Sequence, residues 1–209
     1  MHITWYGQSC FKLQNNEQTV LVNPSDPRKA GLKGPNFKAN IFVLTDIEES
    51  IDKKVLEKDN SFLISGPGEY EVNKIFAYGI PIKKDGQTKS VVYQMTMDEI
   101  RYGVLGQLKS LPSGEELDKL DGVDVLFVPI GGKDTLNAEK AVELINSIEP
   151  QIIIPCCYNI PGLNFVPDSL EKFLKEIGSK VSETLPKLSI KKKDLLAQGE
   201  AKIVVLENN

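Results

Sequence analysis

Apolar residues in the first hundred positions come in short runs, separated by polar or glycine-containing turns. Residues 3–6 and 10–13 are two such runs around Gly7-Gln8-Ser9, a hairpin signal. A third run, 19–22, follows the polar turn Asn15-Asn16-Glu17. Residues 40–45 (N-I-F-V-L-T) are almost continuously apolar, as in a strand covered on both faces. Between these runs, 23–38 is rich in Pro, Gly, Lys and Asp and predicts a long loop; long structured loops are often functional. Residues 48–58 predict a polar helix. Further strands are predicted at 62–65, ending at Gly66-Pro67-Gly68, and at 75–82, 90–97 and 100–105. Asp98-Glu99 makes a tight turn between the last two.

The pattern changes near residue 123. A strand over 123–129 and Gly131-Gly132 precede a helix over 138–148. Its apolar residues Ala138, Ala141, Val142, Ile145 and Ile148 share one face, and Asn137 is the predicted N-cap. Pro150 stops the helix and 151–155 predicts another buried strand. A helix over 170–177 stands behind Pro167-Asp168 and ends at Gly178. Closing strands fall at 188–190 and 202–206, with a short helix at 193–197. No Pro/Ser-rich linker divides the chain, so one domain over 1–209 is expected. A strand-rich half followed by βαβ-like units predicts an α/β (α+β) protein of layered sheets with outer helices.

Composition narrows the function. With 25 basic and 29 acidic residues, the net charge of −4 gives no electrostatic footprint for nucleic acid. Lys191-Lys192-Lys193 reads as a solvated helix start. No apolar run approaches the ~20 residues that span a bilayer. The first residues lack a basic region followed by an apolar one. Three cysteines, two of them adjacent, make no secreted disulfide framework. The expectation is a cytoplasmic protein without nucleic-acid or membrane partners. The single histidine, His2, excludes three-histidine zinc centres and H-E-x-x-H metalloprotease sites.

Several segments, in order, resemble one family. M-H-I-T-W-Y-G-Q-S-C-F-K-L is similar to x-I-T-W-x-G-H-S-C-F, the opening of small metallo-β-lactamase superfamily hydrolases related to L-ascorbate-6-phosphate lactonase. G-P-G-E-Y-E-V (66–72), V-D-V-L-F-V-P-I-G-G (123–132) and E-P-Q-I-I-I-P-C-C-Y-N-I-P-G-L (149–163) resemble later segments of that branch. The resemblance implies a four-layer αββα sandwich with its site at the strand ends of one edge. There, metal ions would activate a water and polarise the scissile bond.

The family's ligand positions carry other residues here. The histidines of T-H-x-H-x-D-H are replaced by Asp46, Glu48 and Ile51, and its aspartate by Ser50. Gln107 stands for a later bridging aspartate, Cys157 for the histidine of P-x-H-Y, and Gln8 for the histidine of the opening. Asp46, Glu48, Ser50, Ile51, Gln107 and Cys157 are therefore expected to line the cleft, with Gln8, Asp26, Glu69 and Tyr70 beside it. The resulting expectation is a non-catalytic binding or structural protein without cofactor, whose partner is an unknown small molecule or protein. The alternative is a lactone or phosphodiester hydrolase with a divalent metal at Asp46, Glu48 and Cys157.

Plainer roles stand beside these. Asp46 and Glu48 would cap the 48–58 helix, and Asp26, between two prolines, would make a turn. Cys157 is either a buried packing group or a nucleophile whose base would have to be His2.

Overall fold

Residues 1–84, 86–196 and 201–209 are described in a computed structural model of the chain. Three antiparallel strands open it, β1 (His2–Trp5), β2 (Phe11–Gln14) and β3 (Thr19–Val22). The single turn α1 (Asp26–Lys29) leads to β4 (Ile41–Leu44), α2 (Lys53–Asp59) and β5 (Phe62–Ser65). A meander follows: β6 (Gly68–Val72), β7 (Ile75–Lys84), β8 (Gln87–Met97) and β9 (Ile100–Val104). The second half runs α3 (Gly114–Asp118), β10 (Val125–Pro129), α4 (Ala138–Ile148), β11 (Ile152–Cys156), α5 (Leu170–Ile177), β12 (Glu183–Leu185), β13 (Leu188–Ser189), α6 (Lys192–Leu196) and β14 (Lys202–Leu206).

Among the described residues the strands form two sheets, ordered β13-β1-β2-β3-β4-β5 and β12-β14-β11-β10-β9-β8-β7-β6. Alternation along the strands builds the layers. In the first sheet Val20, Val22, Ile41, Val43 and Ile64 face the second sheet across a shared core. Leu21, Phe42 and Leu63 point the other way, into a separate cluster closed by Leu56 of α2. The outer side of the second sheet takes α4 through Ala138, Ala141, Leu144, Ile145 and Ile148, with Phe173 of α5 in the same core. This is the expected αββα order. Strands β3, β4 and β5 run parallel, as do β9, β10, β11 and β14, so their crossovers carry the helices.

Several sequence expectations need correction. The helix of 48–58 starts at Lys53, and Asp52 caps it by accepting from the Lys54 amide at 2.9 Å. Asp46 and Glu48 lie before it and cap nothing. The Asp46 carboxylate instead accepts from the Glu48 amide at 2.9 Å, a local turn that holds the chain out of helix. The loop of 23–38 contains α1. Strands β6 and β12 lie at sheet edges and carry glutamates in place of an apolar run, which is why no apolar pattern announced them. The helix expected at 193–197 is α6; its last position, Ala197, lies outside the described residues. Lys192 is no solvated helix start, because its ammonium reaches the buried Asp124 carboxylate at 2.7 and 2.9 Å.

Candidate functional site

The C-terminal ends of parallel strands from both sheets meet at one edge. That is where open α/β sheets place their ligands, because the loops after the strands diverge there. Thr45 and Asp46 follow β4, Gln107 follows β9, Gly131-Gly132 follow β10 and Cys157 follows β11. Two glycines permit the close approach. A Cβ on Gly106 (φ 60°) would collide with Thr45, and one on Gly131 would collide with the Cys157 carbonyl.

Beneath this edge lies a buried polar cluster of Ser9, Asn23, Asp26 and Thr45. The Ser9 hydroxyl donates to the Asp26 carboxylate. Asn23 Nδ2 donates to Ser9 Oγ at 2.8 Å and to Thr45 Oγ1 at 2.9 Å, while its Oδ1 accepts from the Thr45 amide at 3.0 Å. Burial raises the Asp26 pKa against the opposing bonds from Ser9 and Gln107. The nearby Lys29 ammonium is committed to Glu49, whose pKa it lowers. Asp26 is thus part of a buried network, not a loop-turn residue.

A cleft of about 610 Å³ opens above the cluster, lined by Gln8, Asp26, Asp46, Glu48, Lys89, Gln107, Lys109 and Phe165 among others. A smaller cavity of about 270 Å³ adjoins it and includes Gln8, Gln107, Lys133, Asp134 and Cys157. The structure therefore brings together Gln8, Asp26, Asp46, Glu48 and Gln107, with Cys157 next door. It does not bring in the other expected residues. Ser50 is exposed and lines neither cavity. Ile51 packs against the outer cluster of Tyr6 and Phe42. Glu69 is exposed, and the Tyr70 hydroxyl donates to the carbonyls of Ser65 and Gly66 at 3.0 and 3.2 Å.

Gln8 has the least satisfied side chain of the site. It is 4% exposed and its backbone sits at φ 49°. The Trp5 indole donates to its carbonyl at 2.7 Å. Its Nε2 has no partner. An unpaired buried donor costs about 1–3 kcal/mol, so such groups are rare without a ligand or a purpose.

Sequence reasoning missed Lys89, Lys109 and Phe165. They sit in polar loops or on a hairpin, and nothing in their spacing marks them.

The model of the family described as "Beta-lactamase superfamily domain" matches residues 2–157. The chain belongs to this family. Within it, a UPF0173 protein of Pyrococcus abyssi is 26% identical over 200 residues, 85% of this chain and 90% of the relative. A UPF0173 metal-dependent hydrolase of Natranaerobius thermophilus is 24% identical over 212 residues, 87% of this chain and 93% of the relative. A crystal structure of a candidate Zn-dependent hydrolase of the metallo-β-lactamase superfamily from Thermotoga maritima superposes with a TM-score of 0.78. It is 26% identical and the match covers 98% of this chain and 97% of the other.

These relatives correct the expectation of no cofactor, because their names point to a divalent metal as the family's cofactor. The donors of this β-lactamase-superfamily chain do not fit such a centre in the form expected. Asp46 and Glu48 line the large cleft while Cys157 lines only the small one, so the three do not converge. Among the described residues, no three His, Cys, Asp or Glu side chains group to hold a metal ion. Cys157, 1% exposed at φ 60°, lies 3.8 Å from the Cys156 sulfur, and that contact and its burial push its thiol pKa up, which disfavours a free thiolate nucleophile. His2 cannot serve it. His2 pairs across to Gln14, and Gln14 to Thr19 at the start of β3, which is the far end of the sheet from Thr45. No helix among the described residues is long and apolar enough to cross a membrane.

Proposed function

We propose that this chain takes a small polar molecule into the cleft at the joined strand ends. The cleft itself carries the reading. It is large enough for a metabolite-sized molecule, it is lined mainly by polar and charged side chains with Ile82, Leu108 and Phe165 among them, and it opens at the C-terminal ends of the parallel strands.

Metal-dependent hydrolysis of that molecule is the use that the relatives' names support, and a lactone or a phosphodiester is the substrate class assigned to it in this reading. A second reading, binding without turnover, is supported by one observation. Ile51, at the last position of the ligand motif, is packed into the outer apolar cluster and offers no donor. Fold membership decides nothing between the two, because chemistry belongs to the site.

The test is to incubate the purified chain with Zn²⁺, Mn²⁺ or Mg²⁺, measure bound metal by elemental analysis, and assay lactone and phosphodiester turnover. Metal-dependent turnover that Asp46→Ala or Glu48→Ala abolishes would settle for the hydrolase. Ligand binding in the cleft with no turnover under any metal would settle for the binding protein. A cleft that takes up no small molecule in a fragment screen overturns the proposal.

A further inference from the structure

Four side chains line both cavities: Gln8, Gln107, Lys109 and Phe165. They form a waist between the two spaces that holds one cation and no acid. Asp46 and Glu48 face only the large cleft, which also takes Lys29 and Lys89. Asp134 faces only the small cavity, which also takes Lys133. Asp26 lines the large cleft, but its carboxyl is held by Ser9 and Gln107.

Gln8 makes the waist a built site. Its backbone is held by the Trp5 bond and its amide Nε2 is buried without an acceptor. Gln8 lines both cavities, so a small turn of its side chain lets the contents of the cavity supply the acceptor that the buried Nε2 lacks. Lys109, exposed and without an ion pair among the described residues, adds positive charge at the same place. Phe165, 39% exposed, supplies an apolar surface, and the buried Ile82 and Leu108 extend it in the large cleft.

We propose that this waist recognises a small organic anion: Gln8 Nε2 donates to a carboxylate or phosphate oxygen, Lys109 pairs with the charge, and Phe165 covers the apolar body. This rests on the reading that the cleft takes up a small molecule, and it adds the sign of the charge and the group that reads it. A charged acceptor suits the position because hydrogen bonds to ionised oxygens are the strong ones. Lysine serves either head, since it acts as a point charge.

Phenylacetate, phenyl phosphate and the neutral isostere phenylacetamide are suitable probes. Each is titrated by calorimetry and by NMR of the side-chain amides of Gln8 and Gln107. Both anions, or whichever head the site prefers, should bind at least about tenfold tighter than the amide, a difference expected of one charge-assisted bond. Lys109→Gln should weaken binding of both anions by about tenfold, a larger loss than for phenylacetamide.

Gln8→Met should lose the anions by a similar factor while raising the Tm by about 3 °C, because it removes a buried unpaired donor at nearly constant volume. A merely structural glutamine would show the opposite stability effect. Equal binding of phenylacetamide and the anions overturns the inference and leaves the cleft as a binding site. A Gln8→Met variant that binds anions as before also overturns it. Absence of any shift with all three probes overturns the inference and counts against the cleft as a binding site.

Discussion

Two buried carboxylates on this scaffold lead different lives. Asp124, 5% exposed, stands just before β10 with every need met. Lys192 reaches both its oxygens at 2.7 and 2.9 Å, the Arg101 amide donates at 2.8 Å, and Gln151 Nε2 donates at 3.3 Å. Asp26, 8% exposed, stands at the cleft with neutral hydrogen-bond partners, Ser9 and Gln107, and with Lys29 acting on it only at a distance. Its nearest cation, Lys29, is turned to Glu49. Its neighbour Gln8 keeps an unpaired donor. One polar cluster ties elements together, and the other leaves capacity unspent beside an open space. Folding alone favours the first arrangement. The second costs stability, and unmet polar groups facing a cavity are where function is to be sought.

The comparison breaks most visibly at Asp124. Asp124→Ala leaves the Lys192 ammonium, the Arg101 amide and the Gln151 amide without their acceptor. Removing one member of a buried ion pair costs about 3–5 kcal/mol. Urea denaturation should show a loss of that size, with an unchanged m-value. A loss under about 1 kcal/mol would mean that the pair is solvated in practice and that Lys192 is replaceable.

Much of the scaffold was legible because its signals are local. The apolar runs at 19–22, 40–45 and 123–129 found buried strands, and Asn137 caps α4, its side chain accepting from the Lys140 amide at 3.0 Å. The Asp98-Glu99 turn shows positive φ at both residues, as a tight hairpin requires. Edge strands β6 and β12 escaped because their exposed glutamates leave no continuous apolar run.

The site was legible only through resemblance. Motif positions located Gln8, Asp46, Glu48, Gln107 and Cys157 near one edge. They did not separate Cys157 from the acids, because that depends on how two sheets close together. They could not show that Asp26 is buried, since burial in a loop depends on Ser9 and Gln107, far away in sequence. Lys109 and Phe165 gave no signal, because one exposed lysine or aromatic resembles any other.

A smaller effect tests Asp26 itself. Its folded-state pKa is raised above the ordinary 3.8, with burial the leading cause. The native state therefore holds this proton more tightly than the unfolded chain does. The stability it contributes is full below about pH 3.8 and is lost as pH rises through the folded value. Asp26→Asn should be free of that loss. Stability of wild type and variant, compared by denaturation from acid to neutral pH, should diverge in favour of the variant as pH rises. Parallel curves would mean that Ser9 and Gln107 fully offset the burial.

The smallest effect should come from Glu49, whose pairing leaves Asp26 without a direct ion pair to Lys29. Lys29 holds Glu49 below its ordinary 4.5, and the Ser25 hydroxyl donates to it at 2.9 Å. The stability from this pair is present above pH 4.5 and is lost as pH falls through the lowered value, the opposite slope to Asp26. Lys29 is 56% exposed, so solvent screening limits Glu49→Gln to a loss of about 0.5 kcal/mol, less in high salt. The variant is informative because it releases the Lys29 ammonium beside the cleft. Freed from Glu49, that cation should pull the Asp26 pKa down and flatten the fall in stability that Asp26 imposes. Denaturation across the same pH range reads both effects at once. A Glu49→Gln protein with the wild-type dependence above pH 4.5 would show that releasing Lys29 brings it no closer to Asp26.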